Sequence, residues 1–443
     1  MLCFLSLGPW ARTFTVAPGP GRRPHCLLQI FLIWWAKSSR RHTVSAEGHS
    51  RPTWVEVDLD ALRQNARAMK ERLGSSALCA VVKANGYGHG AVPSAKALLE
   101  GGADGLAVAL VDEGIELRQG GVTAPILLLS EPTTESMTAA FAAVLTPTLT
   151  TVEGVVAAIE AAKQIGSRNP VHIKVDTGMH RMGAMPNDFP AVLEALQGQD
   201  QLVVEGLWTH LSVADEQHDD SVRFTQIQLE RFDEAVRIAE EHGVHPSVLH
   251  VANSAGSLVY QNSRFSMVRC GLALYGEVPN DEVSAMARLE QPLDLKPAMS
   301  IKSLVTAVRD VDAGERPSYG RRRAMPHAGR VATVPIGYAD GFPRSLFDAH
   351  HEVLIGGQRF PLAGSVTMDQ IVVDVGDIRV EVGDEVALLG AQGNDRITAN
   401  EWAAHLQTIP YEVLCGFGDR IPRRYVGTLP EEQKVRRRWW RSS

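Results

Sequence analysis

Eight short runs rich in Val, Ile and Leu recur along the first two thirds of the chain: Leu78–Val82, Gly105–Leu110, Ile126–Leu129, Ala142–Leu145, Val171–Val175, Val203–Trp208, Val248–Val251 and Met267–Arg269. Between them lie stretches such as Ala91–Glu100, Val152–Ile165 and Ser221–His242, where apolar residues return every three or four positions, the period of an amphipathic helix. Continuous apolar strands alternating with such helices build a parallel sheet covered on its faces. Eight units in about 220 residues match a closed (β/α)8 barrel. An open doubly wound sheet would carry G-x-G-x-x-G after its first strand, and that motif is missing.

From Leu293 the pattern changes to strict alternation, as in Ser300–Val308 and Val331–Ile336, with turns at Gly356-Gly357 and Gly383-Asp384. This predicts a β-rich second domain holding one helix, Ala399–Leu406, with Thr398 as its N-cap. The α/β chain therefore divides into an extension (1–51), a barrel (52–292), a β-rich domain (293–429) and a basic tail (430–443).

The extension carries seven Lys/Arg against Glu47 alone, and the tail reads KVRRRWWRSS. A secretory signal is the competing reading of the extension, since basic residues precede the apolar Cys26–Ala36. Trp34-Trp35 followed by Lys37, Arg40 and Arg41 make a poor approach to a cleavage site, so residues 1–51 are read as disordered or upstream of the true start. Trimming to residues 52–433 is expected to leave activity intact. The whole chain sums to −7, so the part between these basic ends is strongly acidic. That argues against nucleic-acid binding, which needs excess Lys and Arg. No run of 18 apolar residues exists, so no membrane span is expected. Five scattered Cys do not make a disulfide framework and fit a reducing, cytoplasmic setting.

Barrel chemistry sits at the carboxyl ends of the strands. The first run ends in Lys83, followed by three glycines within Ala84–Gly90 that let backbone approach a ligand closely. A lysine desolvated near other cations loses pKa and becomes a Schiff-base nucleophile. The fifth run ends in Lys174-Val175-Asp176-Thr177-Gly178, the sixth in Thr209-His210, the seventh in His250 before Asn253-Ser254, and the eighth in Arg269 before Gly271-Leu272. Ser254 and free N–H groups where strands seven and eight hand over to helices form the expected phosphate site of a barrel. A lysine at strand one and a phosphate cradle at strands seven and eight point to pyridoxal 5'-phosphate (PLP).

AVVKANGYGHG, KVDTGMHRMG, THLS, HVANSA, VRCGLALYG, SYG, GYADGFPR, TMDQ and YEVLCGFGDRIPR follow one another between Trp54 and Tyr425. Together they resemble the alanine racemase family of fold-type III PLP enzymes. The resemblance implies that Lys83 carries PLP and is one of two acid/base groups. The second is Tyr319, supplied by the other subunit of a homodimer. A free phenol, of pKa about 10, is a reluctant base, and His210 and Arg269 resemble the chain that supplies it with positive charge. Arg269 also matches the residue facing the pyridine nitrogen. As a donor only, it leaves the ring a weaker electron sink than a carboxylate would.

The same resemblance assigns Tyr87, His210, Asn253, Ser254, Arg269, Gly271, Leu272 and Tyr411 to the cofactor. Arg181 and Met368 fall to the substrate carboxylate, and Tyr338 with Tyr411 to the substrate pocket. Lys174 matches a position that is carbamylated in the family, where the carbamate holds the arginine that Arg181 matches. The function implied is interconversion of L- and D-alanine, supplying D-alanine for peptidoglycan, with no metal. A broader amino-acid racemase of the same fold is the alternative. A PLP-binding protein without turnover lacks the second domain, so SYG and TMDQ argue against it.

Overall fold

The computed structural model describes residues 51–428. The strands are β1 (Thr53–Asp58), β2 (Ala77–Val81), β3 (Gly105–Val108), β4 (Ile126–Leu128), β5 (Thr148–Leu149), β6 (Asn169–Lys174), β7 (Leu202–Trp208), β8 (Val248–His250) and β9 (Met267–Cys270). There follow β10 (Met299–Leu304), β11 (Ala307–Val311), β12 (Gly329–Val334), β13 (Glu352–Ile355), β14 (Gln358–Pro361), β15 (Ile371–Gly376), β16 (Glu385–Gln392), β17 (Asp395–Ile397) and β18 (Arg423–Val426).

Strands β2 to β9 are the barrel. They pair in parallel in the orders β4-β3-β2-β9 and β5-β6-β7-β8. A parallel bridge between Leu127 and Thr146 joins the two arcs on one side. On the other, the Arg269 N–H donates to Ala252 O at 3.0 Å and the Ser266 N–H to Leu249 O at 3.1 Å. Burial on both faces accounts for the absence of polar side chains from β2, β3 and β4, whose residues are all buried.

One of the eight expected strands is displaced. Ala142 ends the helix Thr134–Ala142, whose buried face is Met137, Ala140 and Phe141, and Val144 turns the chain with φ +55. The strand lies further on, at Thr148–Leu149. The run Ala142–Leu145 is apolar because it completes a helix face, and runs this short do not distinguish helix from strand. The expected helix Val152–Ile165 is present with those bounds, capped by the Thr151 hydroxyl. Ala399–Leu406 is likewise capped by Thr398.

The β-rich region forms one sheet in the order β14-β13-β16-β10-β1-β18, with β17 on β16, and a second of β11-β12-β15. β1 thus pairs antiparallel with β10 and parallel with β18. A division at residue 52 puts this strand with the barrel, but pairing puts it in the second region's sheet. Its residues alternate between buried and half-buried only from Val55 onward, a pattern that does not say which sheet holds the strand, so long-range pairing decides. The helix Leu59–Leu73 then returns the chain to the barrel, capped by Asp58, whose carboxylate accepts from the Asp60 and Ala61 N–H groups.

The two regions share a continuous apolar core. Fully buried Asn65 stitches them: it donates to Leu274 O at 3.1 Å and Lys296 O at 2.9 Å and accepts from the Lys296 N–H at 2.8 Å. Satisfying donor and acceptor together is what makes a buried amide tolerable. The expectations for residues 1–50 and 429–443 lie outside the described residues.

Candidate active site

The carboxyl ends of β2, β6, β7, β8 and β9 converge on one cluster. After β2 the chain enters a left-handed turn: Ala84, Asn85, Gly86 and Tyr87 all have φ between +52 and +61. For residues with a Cβ this costs roughly 1–2 kcal/mol each, so surrounding bonds must fix it. They do. Glu113 accepts from the Ala84 N–H at 2.6 Å and from those of Ala109 and Leu110 at 2.8 and 3.0 Å, while the Asn85 side chain accepts from the Ala91 N–H at 2.8 Å. The turn leaves Lys83 half-buried at the barrel mouth and aims Tyr87 inward, 7% exposed.

Arg269, on β9, is 2% exposed and, among the described residues, has no carboxylate on it. Its guanidinium donates to the carbonyls of Thr209 (2.8 Å), His250 (3.1 Å) and Val251 (2.9 Å), and to Nδ1 of both His250 (2.9 Å) and His210 (3.1 Å). It also lies 4.4 Å from the centroid of the Trp208 ring, a cation–π contact. Burial pushes its pKa down to about 10, so it remains a cation at neutral pH. Because a guanidinium only donates, both Nδ1 atoms must accept, and the hydrogen network assigns both protons to Nε2. The His250 Nε2 then donates to His172 Nδ1 at 2.9 Å. Burial first, then the charge of Arg269, holds the pKa values of His210 and His250 well below the usual imidazole value.

Between β8 and β9, the Ser254 hydroxyl accepts from the Gly271 N–H at 2.9 Å, leaving its own O–H to donate. A Cβ on Gly271 would lie 2.3 Å from the Tyr87 hydroxyl, so glycine is what lets this backbone and that phenol meet. The Tyr87 and Tyr411 ring centroids are 6.1 Å apart. Burial pushes both phenols up, which keeps them protonated donors. Asn253 serves the cradle indirectly: its side chain caps the helix Ser254–Val259, accepting from the Gly256 N–H at 2.9 Å, and donates to Leu211 O at 3.4 Å.

Cations dominate the cluster. Burial, then the charge of Arg181, lowers the Lys83 pKa, against Glu113. Lys174 is 3% exposed and lies 4.6 Å from the Trp208 ring centroid. Burial, followed by Arg269 and Arg181, lowers it to about 7, with Asp176 opposing. Lys83, Lys174, Arg181 and Arg269, together with hydroxyl donors and a serine–backbone cradle, suit a ligand bearing several negative charges and an aldehyde. PLP with an amino-acid carboxylate fits that donor set.

Three expected residues stand apart on the β-rich region. Tyr319 is 69% exposed, Met368 53% and Tyr338 43%. Tyr319 follows Ser318, which has φ +69 and donates its hydroxyl proton to Ser365 O at 2.5 Å. The Tyr338 N–H donates to Thr367 O at 3.0 Å and the Ala339 N–H to Met368 O at 3.1 Å. Within one chain, no hydrogen bond or ring contact among the described residues joins Tyr319 to Lys83, His210 or Arg269. Trp208 and His172 are cluster residues that the sequence reading passed over. Strand alternation puts His172 on the same face as Lys174, two positions on, and that was the available signal.

The description "Alanine racemase, N-terminal domain" matches residues 57–279, and "Alanine racemase, C-terminal domain" matches 298–425. An alanine racemase from Symbiobacterium thermophilum is 43% identical over 378 residues, 85% of this chain and 98% of that protein. The chain belongs to the alanine racemase family, and is an isomerase. The crystal structure of alanine racemase from E. faecalis superimposes with a TM-score of 0.79 at 39% identity, covering 86% of this chain and 99% of that one. The family fold also extends to a histidine racemase from Leuconostoc mesenteroides, with a TM-score of 0.76 at 28% identity over 86% of this chain and all of that one.

Proposed function

We propose that this protein interconverts L- and D-alanine by a two-base mechanism, with PLP held on Lys83 and cradled by Tyr87, Ser254, Gly271, Leu272 and Tyr411. The observation that carries this reading is the buried Arg269, with no carboxylate on it among the described residues and hydrogen-bonded to His210, in a cluster where burial, then the charge of Arg181, lowers the Lys83 pKa. When bound, PLP supplies an electron sink for the pair left on the substrate Cα as its proton departs. Arg269, a donor that keeps its own proton, limits that sink and so favours return of the proton over side reactions.

Lys83 Nζ moves the proton on one face of Cα. The partner subunit's Tyr319 moves it on the other, in contact with His210. Proton removal on one face and return on the opposite face inverts the centre. Arg181 and the partner subunit's Met368 hold the substrate carboxylate, and the partner subunit's Tyr338 with Tyr411 narrows the pocket. The Lys174 amine, its pKa lowered by burial and then by Arg269 and Arg181, adds in its neutral form to CO2, losing a proton and forming a carbamate anion that fixes Arg181. The product D-alanine supplies peptidoglycan, and the free thiols Cys79, Cys270 and Cys415 fit a reducing cytoplasm.

A broader amino-acid racemase is the second reading, favoured by the likeness to the histidine racemase. A pocket separates single methylenes by only about 1–3 kcal/mol, so turnover of L-serine, L-lysine and L-arginine beside L-alanine distinguishes the two. The test of the mechanism follows optical activity of L-alanine and D-alanine by circular dichroism. Lys83→Ala is expected to abolish both turnover and the absorbance of covalently held cofactor. Tyr319→Phe is expected to retain that absorbance and lose turnover from L-alanine. Undiminished racemisation by Tyr319→Phe would end the two-base proposal.

A further inference from the structure

Arg51 is the first described residue, and its side chain reaches across to the segments that carry Tyr338 and Met368. Its guanidinium grips both oxygens of Asp340, at 2.9 and 2.8 Å, and also donates to Pro335 O at 2.6 Å and Asp369 O at 3.1 Å. Asp340 is fully buried. Its Oδ2 also accepts from the Gly337 N–H at 2.9 Å, which closes the turn Tyr338–Asp340. Arg420 is the second cation: it donates to the Asp369 carboxylate at 2.6 Å and lies 3.5 Å from Asp340 Oδ1. The two segments bound this way are in direct backbone contact. A Cβ on Gly337 would lie 2.2 Å from Thr367 O and 2.3 Å from Met368 O. One bidentate guanidinium thus fixes the turn bearing Tyr338 relative to the residue that follows Met368, and both of those side chains are exposed.

We infer that Arg51 is a positioning residue: through Asp340 and the Asp369 carbonyl it sets the spacing of Tyr338 and Met368, and hence the width of the substrate pocket and its hold on the carboxylate. The inference rests on the alanine-racemase reading above. It also predicts, against the expectation for a chain trimmed to residue 52, a change in substrate fit, since that cut removes the clamp. Arg51 touches neither Lys83 nor the cofactor cradle, so its loss should alter substrate fit rather than cofactor loading. Arg420 and the Gly337 N–H would still satisfy Asp340, which favours a folded variant.

The experiment compares full-length Arg51→Met and Arg51→Lys with the unsubstituted chain, each loaded with PLP, on L-alanine and L-serine. For Arg51→Met, KM for L-alanine is expected to rise about tenfold with kcat within about threefold, the scale of a small misplacement away from the chemistry. The alanine-to-serine ratio of kcat/KM is expected to fall about fivefold, since pocket width discriminates on that scale, with cofactor content unchanged. Arg51→Lys should lie between, because an ammonium cannot span both Asp340 oxygens and two carbonyls. The ratio does not depend on the active fraction, so a partly folded variant still reports. An unchanged ratio, or an equal loss for both substrates, overturns the assignment. Absence of alanine racemisation in the unsubstituted chain would instead sink the proposed function.

Discussion

At the scale of single residues, the site is organised by one side chain that cannot give up its proton. Arg269 can only donate, so it dictates where the protons of His210 and His250 reside, and through His250 it orients His172. His210 therefore presents Nε2–H away from Arg269 and stays neutral, an arrangement suited to a partner that must accept a hydrogen bond. Lys174 offers a test of this crowding of cations. Its pKa is lowered to about 7 from 10.5, so between those values the unfolded chain binds a proton that the folded chain does not. Stability must rise with pH across that window. The unfolding free energy of the native chain minus that of Lys174→Met, measured by denaturant titration without added CO2, is expected to climb from pH 7 to about pH 10 and to be flat below pH 7. A flat difference throughout would mean Lys174 stays charged.

At the scale of elements, strands hold the site and their terminal turns shape it. The left-handed turn Ala84–Tyr87 sends Tyr87 back over the barrel, where Gly271 gives it room. Gly271→Ala requires no positive φ, the backbone there standing at −113. It does push Cβ into the Tyr87 phenol, an overpacking of about 1–3 kcal/mol. PLP affinity is expected to fall at least tenfold by spectroscopic titration, whereas Gly166→Ala, in open space at φ +69, should cost stability and leave PLP affinity alone. Lys83, Arg269 and the Ser254–Gly271 cradle were legible because each sits at a strand's carboxyl end. The strand Thr148–Leu149 was not, because two residues carry no periodicity. The membership of β1 was not either, because pairing partners some 240 residues away leave no local trace.

At the scale of the whole molecule, Tyr319, Tyr338 and Met368 form an exposed group on the β-rich region, apart from the barrel cluster. A site shared between two copies makes a distinctive expectation. Mixing inactive Lys83→Ala and Tyr319→Phe chains after dissociation should produce heterodimers with one intact site of two. For random two-fold pairing this restores about a quarter of native activity. Activity that stays at zero in a mixture shown to have exchanged would place both bases in one chain.

The sequence by itself determined the barrel, the β-rich second region and the lysine and arginine at strand ends, because periodicity and strand-end position are local properties that the chain writes directly. It also carried the family likeness, since nine motifs keep their order. Tertiary structure alone decided that β1 crosses into the second sheet, that His172 and Trp208 back Arg269, and that Arg51 reaches Asp340. Each of these depends on groups brought together across scores or hundreds of residues. Hydrogen bonds and buried charges are satisfied by whatever lies near in space, and the order of the chain does not say what that will be.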